Sequence, residues 1–152
     1  MTEPIAINRP YRRSVLAWLH LQRIFQRVVR VEQTLLAQYG LTRSQFDVLG
    51  HIATEPGLSQ QALAERLLVT KGNVAGLIDR LEHAGLVERC GDPEDRRMHR
   101  LFLTDAGLAA FKRAAPALEA TLHGQLDALT LDEQAQLMNL LAHWDRGLRD
   151  NE

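Results

Sequence analysis

The stretch "LSQQALAERLLVTKGNVAGLIDRLEHAGLVERCGDPEDRRMHRLFLT", residues 58–104, limits the possible folds more than any other part of the chain. Ser59 stands where an N-cap belongs, just before "QQALAERLL", in which Leu63, Leu67 and Leu68 are expected to form one apolar edge. A turn at Val69-Thr70 leads into "KGNVAGLIDRLEHAG", where Val74, Leu77, Ile78 and Leu81 recur at i, i+3, i+4 and i+7. Gly85 closes that helix. Two short helices on so brief a connection, the second amphipathic, define a helix-turn-helix. "LVERC" and "RLFLT" then read as the strands of a hairpin whose loop holds Gly91 and Pro93. A helix-turn-helix followed at once by a hairpin is a winged helix.

Helical patterns bracket this unit. Between Val15 and Tyr39, Trp18, Leu21, Phe25, Val28 and Leu35 recur at helical spacing, and six further apolar residues widen the stripe. Gly40 suits a left-handed cap, Thr42 and Gln45 are spaced as a capping box for "LTRSQFDVLGHI", and "TEPG" ends that second helix. After the hairpin, Thr104 caps a helix through Leu108, Phe111, Ala115, Leu118, Leu122 and Leu126, in which Pro116 is expected to produce a kink. Thr130 and Glu133 form another capping box, and the last helix carries Leu137, Leu140, Leu141, Trp144 and Leu148 on one face. The flanking helices hold more apolar surface than a domain of this size needs for itself. A dimerisation layer follows, with an ordinary monomeric helical core as the alternative. The expected architecture is mainly α with a small β-hairpin wing: an N-terminal dimerisation helix in 1–40, a winged helix-turn-helix in 41–104 and C-terminal dimerisation helices in 105–152.

Composition narrows the function classes. Only 5% of the 152 residues are aromatic, and Leu and Ala dominate the apolar set, which favours helix over sheet. The net charge of −1 conceals an uneven distribution. Residues 1–40 hold six basic and two acidic side chains, residues 101–152 hold four and eight, and 59–100 holds seven of each. Any case for nucleic acid therefore rests on where charges point. One cysteine excludes an internal disulfide framework and fits a reducing compartment. "MTEPIAINRPYRRS" has no apolar signal core, and no apolar run approaches the roughly 18 residues that span a bilayer, so a cytoplasmic protein without a membrane partner is expected. No nucleophile elbow, phosphate loop or glycine-framed acid pair is present, which argues against an enzyme and against a cofactor. The six histidines (20, 51, 83, 99, 123 and 143) lack close ligand spacing, so no metal site is expected.

Four segments, "LTRSQFDVL", "GLSQQALAERLLVTKGNVAGLIDRLEHAGLVER", "DPEDRR" and "FLTDAG", together resemble the MarR family of bacterial transcription regulators. The flanking helices also fit that family's dimerisation region. The resemblance implies a homodimer of winged-helix subunits on a pseudo-palindromic operator, usually a repressor released by a small ligand. It implies that the second helix of the motif, residues 70–84, enters the major groove and that the wing, 90–100, reaches a minor groove. The family's Asp-x-Arg wing motif falls on Asp95 and Arg97, the acid pairing with and aiming the arginine. Arg80 is implied as a backbone-phosphate contact, with a surface ion pair to Asp79 or Glu82 as its alternative.

The side chains suit double-stranded DNA. A narrow minor groove concentrates negative potential, so an arginine on a thin hairpin is attracted there without reading every base. Arg96 and Arg100 can meet phosphates. Off the apolar face of the second helix lie Thr70, Lys71, Gly72, Asn73, Ala75, Gly76 and Asp79, small or hydrogen-bonding residues that let a helix approach base edges. Asn73 suits adenine and Lys71 guanine or phosphate; Ser59 and Gln60 can bond the DNA backbone.

The resemblance also implies an effector pocket between the dimerisation helices and the winged helix, often for small aromatic or phenolic acids. Trp18, His20, Arg23, Asp47 and His51 are the candidates there, their chemistry suiting a planar anion, with ordinary packing as the alternative for each. Asp47 stands where a urate-responsive branch carries an acid, although that branch's extra N-terminal helix has no counterpart here. Peroxide-sensing members carry their cysteine in the first helix, whereas this chain has Cys90 at the end of a wing strand. Cys90 is either inert packing or a redox group whose pKa Arg89 lowers. The functions in competition are a dimeric ligand-responsive regulator, a winged-helix adaptor that binds protein without specific DNA recognition, and a Cys90-based redox regulator.

Overall fold

A computed structural model describes residues 9–92 and 98–150, with side chains from Arg13 onward. Its elements are α1 (Arg9–Gln38), α2 (Arg43–Thr54), β1 (Leu58–Ser59), α3 (Gln60–Leu67), α4 (Lys71–His83), β2 (Val87–Gly91), β3 (His99–Leu103), α5 (Asp105–Gln125) and α6 (Leu131–Arg149). The architecture is mainly α with a three-stranded antiparallel sheet in the order β1-β3-β2. β2 and β3 form the expected hairpin, with Val87 opposite Leu103 and Gly91 opposite His99. β1 is an addition. Its two residues pair Leu58 with Leu101 and Ser59 with Arg100, tying the start of the helix-turn-helix to the wing.

The helix ends follow their capping residues. Thr42 and Gln45 exchange bonds, the Thr42 amide donating to Gln45 Oε1 at 2.9 Å and the Gln45 amide to Thr42 Oγ1 at 3.2 Å. Ser59 accepts from the Ala62 amide and Thr70 from the Asn73 amide. Gly40 (φ 71) makes the left-handed turn that frees the chain from α1. The C-cap of α3 departs from the sequence expectation. Leu68, not a glycine, takes the left-handed conformation (φ 53), its amide donating to the Ala64 and Glu65 carbonyls. That turn swings its side chain out of the apolar edge, leaving it 92% exposed while Leu63 stays fully buried. Pro116 lies inside α5, and the helix continues through it to Gln125.

Two compact units divide the chain, one up to Leu118 and one from Glu119. The core of the first sits beneath α4. Val74, Leu77, Ile78 and Leu81 are buried there with Leu49 and Ile52 of α2, Leu63 of α3, Val87 of β2 and Leu101 of β3. Each such side chain contributes roughly 1.5–3 kcal/mol by leaving water. Leu36 joins α1 to the same core. Phe111 of α5 meets Phe46 of α2 with ring centroids 5.1 Å apart. In the second unit, the Glu133 side chain accepts from the Thr130 amide at 2.8 Å and from its hydroxyl, and these bonds hold the Glu133 carboxyl below its ordinary pKa. α6 buries none of its residues within the chain.

The joint between wing and α5 is tight. The Thr104 amide donates to the Leu86 carbonyl at 3.2 Å, and a Cβ on Gly107 would stand 1.9 Å from that carbonyl oxygen. Gly107→Ala must therefore push α5 away from the hairpin, a loss of about 1–3 kcal/mol. Thermal unfolding is expected to show a midpoint several degrees lower; an unchanged midpoint would show that the two backbones are not in contact.

Candidate nucleic-acid interface

α4 is rotated by its buried stripe so that Lys71, Gly72, Asn73, Asp79 and Arg80 face solvent, with Ala75 and Gly76 half-buried at the edge. Side chains are short over most of this face, and the backbone can come close to a flat partner. A Cβ on Gly76 would lie 3.7 Å from Arg80 Nη1, so the Arg80 guanidinium folds back along the helix. Asp79 and Glu82 do not hold it: both are taken by Arg89 of β2, and among the described residues Arg80 makes no ion pair.

Beside this face, the start of α3 and the root of the wing form a groove of about 280 Å³ lined by Ser59, Gln60, Gln61, Lys71, Ala75, Met98 and His99. Lys71 Nζ donates to Gln61 Oε1 at 3.1 Å, which orients the ammonium. Ser59 spends its acceptor on the α3 cap and keeps its O–H as a donor. Ser59, Gln60, Lys71 and Ala75 are thus brought together in one groove. Gln61, Met98 and His99 were not foreseen. Only the β2–β3 register, Gly91 opposite His99, carries His99 to this groove.

The wing root is a charge-stitched structure. Asp92 is buried and accepts from Arg100 Nε at 2.7 Å, while Arg100 Nη1 donates to the Gly57 carbonyl at 3.3 Å. Arg100, expected at a phosphate, is thus engaged in joining β3 to the turn before β1, although half its side chain is exposed. Asp95, Arg96 and Arg97, the expected wing pair and its neighbour, lie outside the described residues. Cys90 is exposed. Arg89, on which the redox alternative for Cys90 relies, turns to the neighbouring helix and contacts two carboxylates.

A second cleft, of about 550 Å³, is lined by Arg43, Ser44 and Asp47 of α2, by Leu67 and Val69, and on α4 by Gly72, Asn73, Val74, Gly76, Leu77 and Arg80, so it opens onto the same outward part of the helix. Burial pushes the Asp47 carboxyl above its ordinary pKa, with the charges of Arg43 and then His51 opposing the rise. Arg43 also reaches α1: its Nε lies 2.9 Å from Glu32 Oε2, an ion-pair contact without hydrogen-bond alignment, and its guanidinium sits 5.6 Å from the Phe25 ring centre. Of the five effector candidates only Asp47 lines this cleft. His51 is half-buried one turn along α2, and Trp18, His20 and Arg23 are exposed on α1. Among the described residues no cluster of three or more His, Cys, Asp or Glu is placed to hold a metal, and no helix is long and apolar enough to cross a membrane.

A helix-turn-helix with a paired wing defines the class of winged-helix transcription regulators, and comparison with known proteins makes the assignment more specific. The MarR family pattern matches residues 39–98. An uncharacterised HTH-type transcriptional regulator of Bacillus cereus (strain ATCC 10987 / NRS 248) is 34% identical over 129 residues, 83% of this chain and 84% of the relative. The transcriptional regulator HosA of Escherichia coli O111:H- is 36% identical over 101 residues, 66% of this chain and 75% of HosA. Among solved structures, a cysteine-to-serine mutant of E. coli MarR complexed with operator DNA superposes with a TM-score of 0.81 at 28% identity, covering 88% of this chain and 96% of that one. The transcriptional repressor CouR, bound to a 23-mer DNA duplex, gives 0.79 at 32% identity, covering 92% and 99%. The chain belongs to the MarR family of transcriptional regulators.

The raised Asp47 pKa has a defined consequence for stability. A carboxyl whose folded pKa exceeds its unfolded one costs stability as pH rises from the ordinary carboxylate range through the folded value, and the cost persists above it. Asp47→Asn is therefore expected to raise the thermal midpoint at pH 7, with the advantage fading as pH falls through the folded value and gone below the unfolded carboxylate pKa. A variant less stable at pH 7 would show that attraction to Arg43 outweighs burial.

Proposed function

We propose that this protein is a dimeric, ligand-responsive repressor that binds a pseudo-palindromic operator in double-stranded DNA. The observation that carries the proposal is the outward face of α4: small and hydrogen-bonding residues stand above a fully buried apolar stripe, flanked by the groove at the wing root. In this reading Asn73, Ala75 and Gly76 approach base edges in the major groove, and Lys71 contacts guanine or phosphate. Ser59, Gln60, Thr70 and Arg80 bond the DNA backbone. Arg97, aimed by Asp95, enters the minor groove, and Arg96 and Arg100 follow the phosphates there.

Pairing of two subunits is supported by the apolar faces that a single chain leaves uncovered. Val15, Leu16, Leu19, Ile24 and Phe25 of α1 are exposed, as are Leu137, Leu140, Leu141 and Leu148 of α6. The segments 1–40 and 105–152 are accordingly proposed as the dimerisation region around the DNA-binding segment 41–104. The proposed effector is a small aromatic or phenolic acid near Trp18, His20, Arg23, Asp47 and His51. Support comes from the polar cleft at Asp47 and from Arg43, which joins that cleft to α1.

Gel-shift titration on the duplex upstream of the protein's own reading frame tests the proposal. The association constant should fall steeply with salt, in proportion to the phosphates contacted. Lys71→Ala should weaken binding to all sequences and reduce the salt slope by about 1, while Asn73→Ala should cost about 1–3 kcal/mol at the preferred sequence and relax specificity. Equal affinity for random duplexes, unchanged by Arg97→Ala, contradicts the proposal. A stable protein partner recovered without any shift would favour the adaptor instead.

A further inference from the structure

α4 carries two acids on the face next to its outward one, an unwelcome arrangement for a helix that meets a polyanion. Asp79 and Glu82 follow Ala75 at four and seven residues, so the Ala75 carbonyl and both carboxylates lie along one line of the helix. Arg89, at the centre of β2, spans that line. Its Nη1 donates to Glu82 Oε2 at 2.5 Å, its Nη2 to Asp79 Oδ1 at 2.5 Å, and Nη2 also reaches the Ala75 carbonyl at 3.5 Å. The Arg89 side chain is only 19% exposed, whereas Asp79 is 65% exposed. A planar guanidinium with one fork on each acid fixes both the spacing and the rotation of the strand against the helix, which a lysine's point charge would not do.

We propose that Arg89 is a positioning residue for DNA binding: by engaging both carboxylates it screens Asp79 and Glu82 from the phosphates and keeps them off Arg80, without touching DNA itself. The role rests on the DNA-binding function proposed above. Two consequences follow from the geometry. The wing leaves α4 in one orientation, because β2 is held to the helix by side chain as well as by the Leu81–Val87 core. The helix also meets the duplex with half of this acidic charge offset and both carboxylates engaged by a group from its own hairpin, so they repel phosphate less and leave Arg80 uncaptured.

Three variants separate this role from a merely structural one. Each is measured for thermal stability and for affinity to the same duplex across a range of salt. Arg89→Gln bares both acids and should weaken binding at least about 10-fold at low salt, the deficit shrinking as salt screens the repulsion. Arg89→Lys keeps the charge but loses the fork, and should fall in between. The neutral triple Asp79→Asn/Glu82→Gln/Arg89→Gln should bind within about threefold of the parent protein, or more tightly. Arg89→Gln equal to the parent in affinity, or a triple variant as weak as Arg89→Gln, overturns the role of Arg89 while leaving the DNA-binding reading intact. A stability loss shared by Arg89→Gln and the triple, with affinity recovered only in the triple, supports screening. A parent protein that binds no duplex overturns both.

Discussion

Four side chains determine what this protein can present to another molecule. Val74, Leu77, Ile78 and Leu81 are sunk into a core built from α2, α3 and the sheet, and a helix anchored at i, i+3, i+4 and i+7 cannot rotate without lifting a leucine or isoleucine into water. Each displaced side chain would cost roughly 1.5–3 kcal/mol, so the rotation of α4 is fixed to within a fraction of a turn. The outward placement of Lys71, Asn73 and Arg80 is a by-product of that burial. Leu58 and Leu101 extend the same core into the sheet, so the wing is positioned from the same apolar centre as the helix it flanks.

Charge is used for assembly more than for attraction. In 59–100 basic and acidic residues balance, and the structure shows where several of them go. Arg89 joins the wing to α4, Arg100 joins the wing root to Asp92 and the turn before β1, and Arg66 meets Glu55 across the α2–α3 connection. Arg43, further upstream, joins α2 to Glu32 of α1. Arg66–Glu55, the pair among these with both partners exposed, contributes little stability, about 0–1 kcal/mol. The common effect of these pairs is geometric: each ties one element to another beside the apolar core they share. Lys71 and Arg80 are the described basic side chains of this stretch that no carboxylate engages, and both lie on the outward part of α4.

Much of this was legible in the residues, and the failures have definite causes. The α4 stripe, the caps at Thr42, Ser59 and Thr130, and the hairpin between Val87 and Leu103 all rest on local periodicity and local hydrogen bonding, which a sequence displays directly. Leu68 was misplaced because its spacing fits an apolar edge, while its backbone had to supply the left-handed cap that no glycine was there to provide. β1 escaped notice because two residues show no alternation; only the pairing of Leu58 with Leu101 defines it. The partners that Arg89 and Arg100 find within the chain were not legible either. Those partners lie outside the arginines' own strands, from 7 residues away for Glu82 to 43 for Gly57, and no helical or strand periodicity announces such contacts. At the cleft beside α4 the sequence marks Asp47 but gives no sign of Arg43 next to it.

The central claim is that α4 and the wing of two paired subunits address one face of B-form DNA together. Selection of duplexes from a random pool by the purified full-length protein, followed by sequencing, tests it most directly. The account predicts enrichment of an inverted repeat whose half-sites are centred about 10 base pairs, one helical turn, apart. A pool that stays random, or that converges on a single site without two-fold symmetry, would contradict it.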